Sequence, residues 1–545
     1  MRGYTRNHCF LFSKDSGGNV ALQRNAGDAG RMVSTMKILF LGITNYKDPF
    51  IGDWQVDLRY TVSFLRKNGV EAELLCRFLL DDEEATVLSI KQKKPEYLFV
   101  HLREENDPAL FAILYRLRKA FPEMVIITGG VLATLVGAEL LSDHPEIDWL
   151  IAGEREPCLL EIANRLNKGE SLNGVPGLIT RAFQNTHGLL IPDLDDLGEM
   201  VHDGLEEMMA RMPDDKKIGY LLSGRGCYAR CSFCYVPGYY RHEGLSWRCR
   251  SVSAVIDELQ HLSDRYAIRY FMFLDENFFG PGEIGKERAK SIATEIIARK
   301  LKINYFFCCR INDVEEETFQ LLKESGLDRV GIGVESMQGE SLQLFNKGVR
   351  AEQIYPALKI LDKLEIKAEI NMIFFDPYLT MEGLRDNLAF MHYVYEKDRL
   401  SYTSAYPFNE LKPFPWSPIT KRLQAEGLLN EADYTCRYRD PDVWEVVKFA
   451  RRLRSKLPLI FKELVLSEDL VQRMDAAADR GIKDEMQRIV IALRYWIGLC
   501  LLPRYLSKAC DVVEKSGPSL YPALDELENE FCKEMEPYVK DNGIL

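Results

Sequence analysis

Alternation constrains this chain more than anything else in its sequence. From Met36 onward, apolar runs of strand length alternate with helix-length segments of 3.6-residue period, joined by short connections. Strands are predicted at 37–42, 71–78, 97–102, 125–128 and 149–152, with helices at 56–68, 83–93, 108–120, 132–142 and 156–167. Most of these strands are nearly continuous apolar runs, the pattern of parallel strands covered on both faces. Residues 36–170 are therefore expected to form a doubly wound, Rossmann-like α/β sheet, which binds ligands at the carboxyl ends of its strands. Gly42, His101, Gly129, Gly130, Gly153 and Glu154 fall at those ends, and paired glycines let the backbone approach a large ligand. The turn after the first strand reads Gly42-Ile43-Thr44-Asn45-Tyr46-Lys47 rather than GxGxxG, and no GxxxxGK occurs, which argues against a dinucleotide.

A second alternating series begins at 217. Strands are predicted at 218–222, 269–274, 304–309, 329–334, 368–375 and 402–406, and helices at 252–264, 287–299, 315–324, 351–364 and 382–395. Six βα units predict an open, partial (βα)6 barrel of TIM type over 217–415, with its active residues in the loops after the strands. Straight after the first of these strands lie Cys227, Cys231 and Cys234, spaced CxxxCxxC. Thiolates this close converge on one soft metal centre, and such thiolates hold iron–sulfur clusters. Three ligands leave one iron of a four-iron cluster open to another molecule. With Cys249 added, the same cysteines could instead make a structural zinc site, which prefers four ligands.

Composition narrows the function classes. Of 545 residues, 46 % are hydrophobic and 28 % charged, which is ordinary for a globular protein with room for several cores. The formal net charge of −12 without a long basic run argues against an extended nucleic-acid surface. Thirteen scattered cysteines do not form a secreted disulfide pattern and point to reduced thiols in a cytoplasmic protein. Residues 1–35 are polar and Gly-rich, expected as a disordered tail without a secretion signal, and Met36 is an alternative start. Residues 171–216 are a linker rich in Pro, Gly and acidic residues. Residues 416–545 form a mainly helical region that shapes a substrate pocket or closes the barrel. Its most apolar stretch, 489–502, is short for a bilayer span and carries Arg494, so no stable membrane anchor is expected.

Thr128-Gly129-Gly130-Val131-Leu132-Ala133-Thr134 followed by Ile151-Ala152-Gly153-Glu154-Arg155-Glu156-Pro157 resembles the cobalamin-binding domain of cobalamin-dependent radical S-adenosylmethionine enzymes. The resemblance implies cobalamin at Gly42, His101, Gly129, Gly130, Thr134, Gly153 and Glu154. The DxHxxG signature is absent after the first strand, so no histidine from that loop would ligate cobalt. The cysteine loop, with Phe233 before its third cysteine, is similar to the radical S-adenosylmethionine signature of the same family. At the following strand ends, Asp275-Glu276-Asn277, Arg310 and Glu335-Ser336 match that family's S-adenosylmethionine-contacting positions. Trp247-Arg248-Cys249-Arg250-Ser251 also matches the family, which makes Cys249 an ordinary cysteine and the zinc site the lesser reading.

The resemblance implies three cofactors: a 4Fe-4S cluster on Cys227, Cys231 and Cys234, S-adenosylmethionine, and cobalamin. In that family the reduced cluster cleaves S-adenosylmethionine to a 5′-deoxyadenosyl radical, and methylcobalamin methylates the substrate radical. The expected activity is C-methylation of an unactivated carbon in a peptide, secondary-metabolite or lipid substrate, with a flavodoxin or ferredoxin as electron donor. Ring contraction, cyclisation or another rearrangement without methyl transfer is the first alternative, and a non-catalytic cobalamin or redox sensor the second. A tRNA methylthiotransferase is disfavoured, because residues 36–217 contain only Cys76 and Cys158 and the C-terminus is helical in pattern. Tyr235, Tyr239, Tyr240, Tyr406 and Trp416 are candidates for lining the pocket, or are packing aromatics.

Overall fold

The computed structural model describes residues 36–44, 55–78, 83–102, 108–186, 188–210, 217–240, 246–396, 402–403, 409–414, 416–431, 434–456, 501–515 and 520–540. The tail at 1–35, most of the apolar stretch 489–502 and the candidate Tyr406 lie outside them.

Two six-stranded sheets organise the chain. The first comprises β1 (Lys37–Thr44), β2 (Glu71–Phe78), β3 (Tyr97–His101), β4 (Val125–Gly129), β5 (Trp149–Ile151) and β6 (Leu178–Ile179), in the order β2-β1-β3-β4-β5-β6. All its pairings are parallel except β5 with β6. Register follows the apolar pattern: Phe40 pairs with Leu74 and with Phe99, and all three are buried. The helix predicted over 132–142 is two short helices, Val131–Val136 and Ala138–Asp143. They break at Gly137, whose φ of +64° favours glycine and does not continue a right-handed helix.

The second sheet is built from β7 (Ile218–Leu221), β10 (Tyr270–Phe273), β11 (Asn304–Arg310), β12 (Leu327–Glu335), β13 (Lys367–Met372) and β14 (Tyr402–Thr403), with a hairpin of β8 (Gly224–Gly226) and β9 (Trp247–Cys249) between β7 and β10 in the chain. Its order, β14-β13-β12-β11-β10-β7, is sequential, and every neighbour is parallel. This is the open six-unit barrel that the alternation implied. The hairpin β8–β9 stands outside that sheet and was not predicted, since three residues with two glycines carry no strand pattern. Helices Pro441–Lys456, Leu502–Lys515 and Leu520–Lys540 follow the barrel. Arg385, on the helix Met381–Glu396 after β13, ties the barrel to them through Asp511 and Glu514, each at 2.8 Å. Among the described residues no helix is long and apolar enough to cross a membrane.

A buried charge cluster joins the sheets. Arg225, on β8, lies 3.2 Å from Glu154 and 2.9 Å from Glu156, just after β5. Arg248, on β9, grips both oxygens of Glu154 at 2.7 and 3.0 Å. Glu154 also accepts the Ile191 amide at 2.6 Å, and Glu156 accepts the Thr61 hydroxyl at 2.8 Å. Burial disfavours charge on Glu156, but Arg225 and Arg155 outweigh it and hold the carboxyl below its ordinary range. Removing one member strands a buried charge. Arg225→Met is therefore expected to lower unfolding stability by roughly 3–5 kcal/mol, read from chemical denaturation midpoints against the wild type. A variant as stable as the wild type would show that the cluster is solvated.

Candidate functional site

The cysteine loop is held from both sides by backbone contacts. Gly226 has a φ of +87°, and a Cβ there would stand 2.2 Å from the Ser246 carbonyl, so the hairpin leaves room only for glycine just before Cys227. The Cys227 amide then donates to that same carbonyl at 2.8 Å. Beyond it, Ser232 donates its amide to Phe345 O at 2.8 Å and its hydroxyl to Leu344 O at 2.7 Å. Phe233 meets Phe345 edge-on at 5.4 Å. These contacts fix the loop against the segment after β12. Arg310, at the end of β11, donates to the Cys231 sulfur at 3.3 Å, and the Ala229 amide donates to the Cys227 sulfur at 3.4 Å. Burial raises the Cys227 thiol above its ordinary value, while the Ala229 amide and Arg310 favour the thiolate. A three-sulfur donor set beside a buried cation fits an anionic iron–sulfur cluster.

Cys249 is directed elsewhere. In the hairpin it pairs with Gly224, while the strand leaves towards Cys227 from the opposite end, past Gly226 and Trp247. Three residues of strand separate Cys249 from the level of Cys227, about 10 Å of backbone. Its thiol neighbours Arg288 instead. The zinc alternative thereby loses its fourth ligand.

Of the strand-end residues, Glu276 and Arg310 bond to this loop, while Asp275, Asn277, Glu335 and Ser336 bond to neighbouring segments. Asp275 accepts the Ser223 amide at 2.7 Å and its hydroxyl at 2.5 Å, closing the end of β10 onto that of β7. Glu276 accepts the Gly226 amide and the Tyr240 hydroxyl, both at 2.9 Å. Asn277 donates to Phe279 O at 2.7 Å, and its buried carbonyl oxygen has no protein partner. That orphaned acceptor fits a ligand with a donor group. Glu335 has a left-handed φ of +67°, and the register of β12 shifts between Gly333 and Glu335. The bulge turns its carboxylate back to Lys347 at 2.7 Å, and a Cβ on Gly333 would lie 2.4 Å from that carboxylate. Ser336 is fully buried and donates to Asn387 at 3.4 Å.

Several members of this group escaped the sequence reading. Lys347 pairs with Glu335 and its carbonyl accepts from Arg310. Tyr228 donates to Asp313 at 2.5 Å, and Arg310 lies over the Tyr228 ring at 5.7 Å. The run Leu344-Phe345-Asn346-Lys347-Gly348 resembles what the family carries, but nothing local gives the buried pairing of its lysine.

At the first sheet, His101, Gly129, Gly130, Thr134 and Gly153 form one rim. The Thr134 hydroxyl donates to Gly130 O at 2.7 Å and accepts the Gly153 amide at 2.9 Å, locking the two glycine turns together. Gly130 has a φ of +115°, and a Cβ there would sit 2.4 Å from Leu102 O. Arg155 donates to His101 Nδ1 at 2.8 Å, and burial with the Arg155 charge lowers the imidazole to about 3, so it is neutral. Thr128 is fully buried at the end of β4, and its hydroxyl has no protein partner. An unpaired hydroxyl beside a glycine rim fits a large polar ligand.

Two of the residues named for this rim have other contacts. Gly42 packs under Gln55, whose side chain a Cβ would meet at 2.7 Å. The Glu154 carboxylate turns to Arg225 and Arg248 rather than to the rim, so only its backbone remains for a ligand. The rim and the cysteine loop meet through shared residues: Val131 packs on a cluster of Leu190, Val236, Tyr239 and Tyr240 that also touches Cys227 and Cys234. Tyr239 donates to Gly153 O at 2.9 Å. Trp416 stacks on Phe414 at 5.3 Å and packs against the core of the first sheet, while Ile419 donates its amide to Ser232 O at 3.1 Å. The segment after the barrel thus touches both sides.

Comparison with known proteins places this geometry. Residues 221–391 match the Radical SAM superfamily. The chain is 28 % identical over 287 residues to an uncharacterized methyltransferase of Pyrococcus horikoshii, covering 52 % of this chain and 61 % of that protein. It is 26 % identical over 360 residues to the anaerobic magnesium-protoporphyrin IX monomethyl ester cyclase of Rubrivivax gelatinosus, covering 62 % of each. It thus spans less than two thirds of either relative. The solved structure of the cobalamin-dependent S-adenosylmethionine radical enzyme OxsB, with aqua-cobalamin and S-adenosylmethionine bound, superposes with a TM-score of 0.74 at 17 % identity, covering 94 % of this chain and 81 % of that one. The chain therefore carries a radical SAM domain at 221–391, set within the fold of a cobalamin-dependent radical S-adenosylmethionine enzyme.

Proposed function

We propose that this protein is a cobalamin-dependent radical S-adenosylmethionine C-methyltransferase. The observation that carries the proposal is the contact between the three-cysteine loop and the glycine rim of the first sheet, through Val131 and the Tyr239–Tyr240 cluster. Cys227, Cys231 and Cys234 would hold the 4Fe-4S cluster. Phe233, Asp275, Glu276, Asn277, Arg310, Glu335 and Ser336 would form the S-adenosylmethionine surface. His101, Gly129, Gly130, Thr134, Gly153 and the backbone around Gly42 and Glu154 would receive cobalamin. When bound, these groups supply radical generation and methyl transfer; the protein supplies orientation and exclusion of water. A cytoplasmic location with a flavodoxin or ferredoxin donor is the setting that scattered cysteines without a secreted disulfide pattern support. The substrate would be a small molecule or peptide. Similarity to the Rubrivivax cyclase supports a second reading, cyclisation or rearrangement without methyl transfer.

The chain's own residues prepare the chamber. Tyr240 and the Gly226 amide both point at the Glu276 carboxyl, so Glu276 links the hairpin, the helix Val236–Tyr240 and the end of β10. Burial raises it from an ordinary 4.5 to about 7, against the opposing effect of those hydrogen bonds. Between these values the folded protein binds a proton that the unfolded chain has released. The stabilisation is complete below about 4.5 and is lost as pH rises through about 7. Glu276→Gln is expected to flatten the pH dependence of stability over that window, by on the order of 3 kcal/mol for a shift of this size. Denaturation curves for the two proteins that stay parallel from pH 4.5 to 7 would refute the assignment.

The activity has its own test. Cys231→Ala is expected to lose iron and all 5′-deoxyadenosine release while the sheet keeps its cobalamin. With deuteriomethyl S-adenosylmethionine and the reduced wild-type enzyme, the product is expected to gain a labelled methyl group. A product without the label, formed with 5′-deoxyadenosine release, selects the cyclisation reading. No 5′-deoxyadenosine under any reducing condition selects a sensor.

A further inference from the structure

The segment between the two sheets carries a cluster that the proposed function does not use. Glu199, His202 and His261 each present one ligand atom, and the three atoms lie within 4.8 Å of one another. Glu199 and His202 come from the connecting segment after Gly198, and His261 from the helix Val252–Tyr266. The two imidazole rings are 5.1 Å apart. Glu199 bonds to His261 Nδ1 and stands 3.9 Å from His202 Nε2.

His202 supplies the second observation. Its Nδ1 is paired with the Tyr266 hydroxyl at 3.0 Å, while its Nε2 is buried and has no hydrogen-bond partner. If Nε2 bears a proton, a donor is buried without an acceptor. If it bears a lone pair, that pair faces the Glu199 carboxylate across 3.9 Å. Neither state is satisfied, and a buried polar atom without a partner is destabilising. A cation between Nε2 and the carboxylate satisfies both, and needs only that Glu199 turn from its bond to His261. The Tyr266 contact then takes the proton of Nδ1 and orients the ring, the second-layer arrangement usual for metal-bound histidine.

The surrounding backbone is already ordered. Arg59, from the first sheet's leading helix, donates to Val201 O at 2.9 Å and to Asp203 O at 3.0 Å. The Met200 amide donates to Glu258 at 2.8 Å on the same helix as His261. Arg265, the nearest exposed cation on that helix, is paired with Glu206. Two imidazoles and one carboxylate suit zinc, with water completing a tetrahedral set, and do not suit magnesium, which wants oxygen ligands.

We infer that Glu199, His202 and His261 form a zinc site that fastens the connecting segment to the first barrel helix. The inference is independent of the proposed activity. To test it, full-length protein with its cluster reconstituted is equilibrated with Zn²⁺, desalted, and compared with His261→Gln and His202→Gln. His261 is exposed, so the first variant leaves the core intact. Zinc held by incompletely loaded cluster cysteines is common to all three proteins and cancels. The wild type is expected to retain one more zinc per chain than either variant. Its thermal midpoint should rise with Zn²⁺ but not Mg²⁺, while the variants should not respond. Equal zinc content in all three proteins, or an equal shift with Mg²⁺, would overturn the site.

Discussion

Two arginines on a hairpin of two three-residue strands bear the relationship between the halves of this molecule. Arg225 and Arg248 reach across from the barrel to Glu154 and Glu156, and every carboxylate and guanidinium in the group is buried. Buried ion pairs contribute little net stability compared with an apolar interface, but breaking one is costly. Their effect here is positional. Arg225 is two residues from Cys227, and Glu154 directly follows Gly153, so the same ion pairs set the cysteine loop and the glycine rim relative to each other. The Tyr239 hydroxyl on Gly153 O repeats the link a short way along.

Much of the architecture is legible in the sequence, and the reason is physical. Parallel strands covered on both faces need continuous apolar runs, so β1, β3 and β4 announce themselves, and the connecting helices follow from their amphipathic period. The cysteine triplet is equally readable because its ligands are local. Hairpin β8–β9 was not, since Gly224-Arg225-Gly226 has no strand pattern and its partner lies 20 or so residues on, a separation that turn chemistry does not predict. The break at Gly137 was not foreseen either: the helical period runs across it, and only its positive φ shows why that glycine ends the helix.

Side-chain allegiance was harder to foresee than position. Glu154 falls at a strand end, where a ligand-facing carboxylate is a natural reading, yet its partners are 71 and 94 residues away in the barrel. No local pattern encodes such a pairing. Lys347 was equally hidden. A lysine between Asn346 and Gly348 has the look of a turn, and only the bulged end of β12, with Glu335 in a left-handed conformation, gives it a buried carboxylate. Arg310, by contrast, stands at the strand end where the alternating pattern puts it, and its bond to the Cys231 sulfur places a cation beside the cysteine loop.

The joint also bears on how a substrate could enter. A hinge between the sheets would have to pull Arg225 and Arg248 off two carboxylates in a dry interior, so the seam between them behaves as a fixed wall. The chain after the barrel meets the cysteine loop in a different way: the Ile419 amide donates to Ser232 O, and Leu411, Ile419 and Leu423 are buried in a cluster with Leu344 and Phe345 on which Phe233 packs. Apolar packing can shift and reform without stranding a charge, which an ion cluster in a dry interior cannot do. The two sheets are thus the rigid frame, and the loop's other neighbour is apolar.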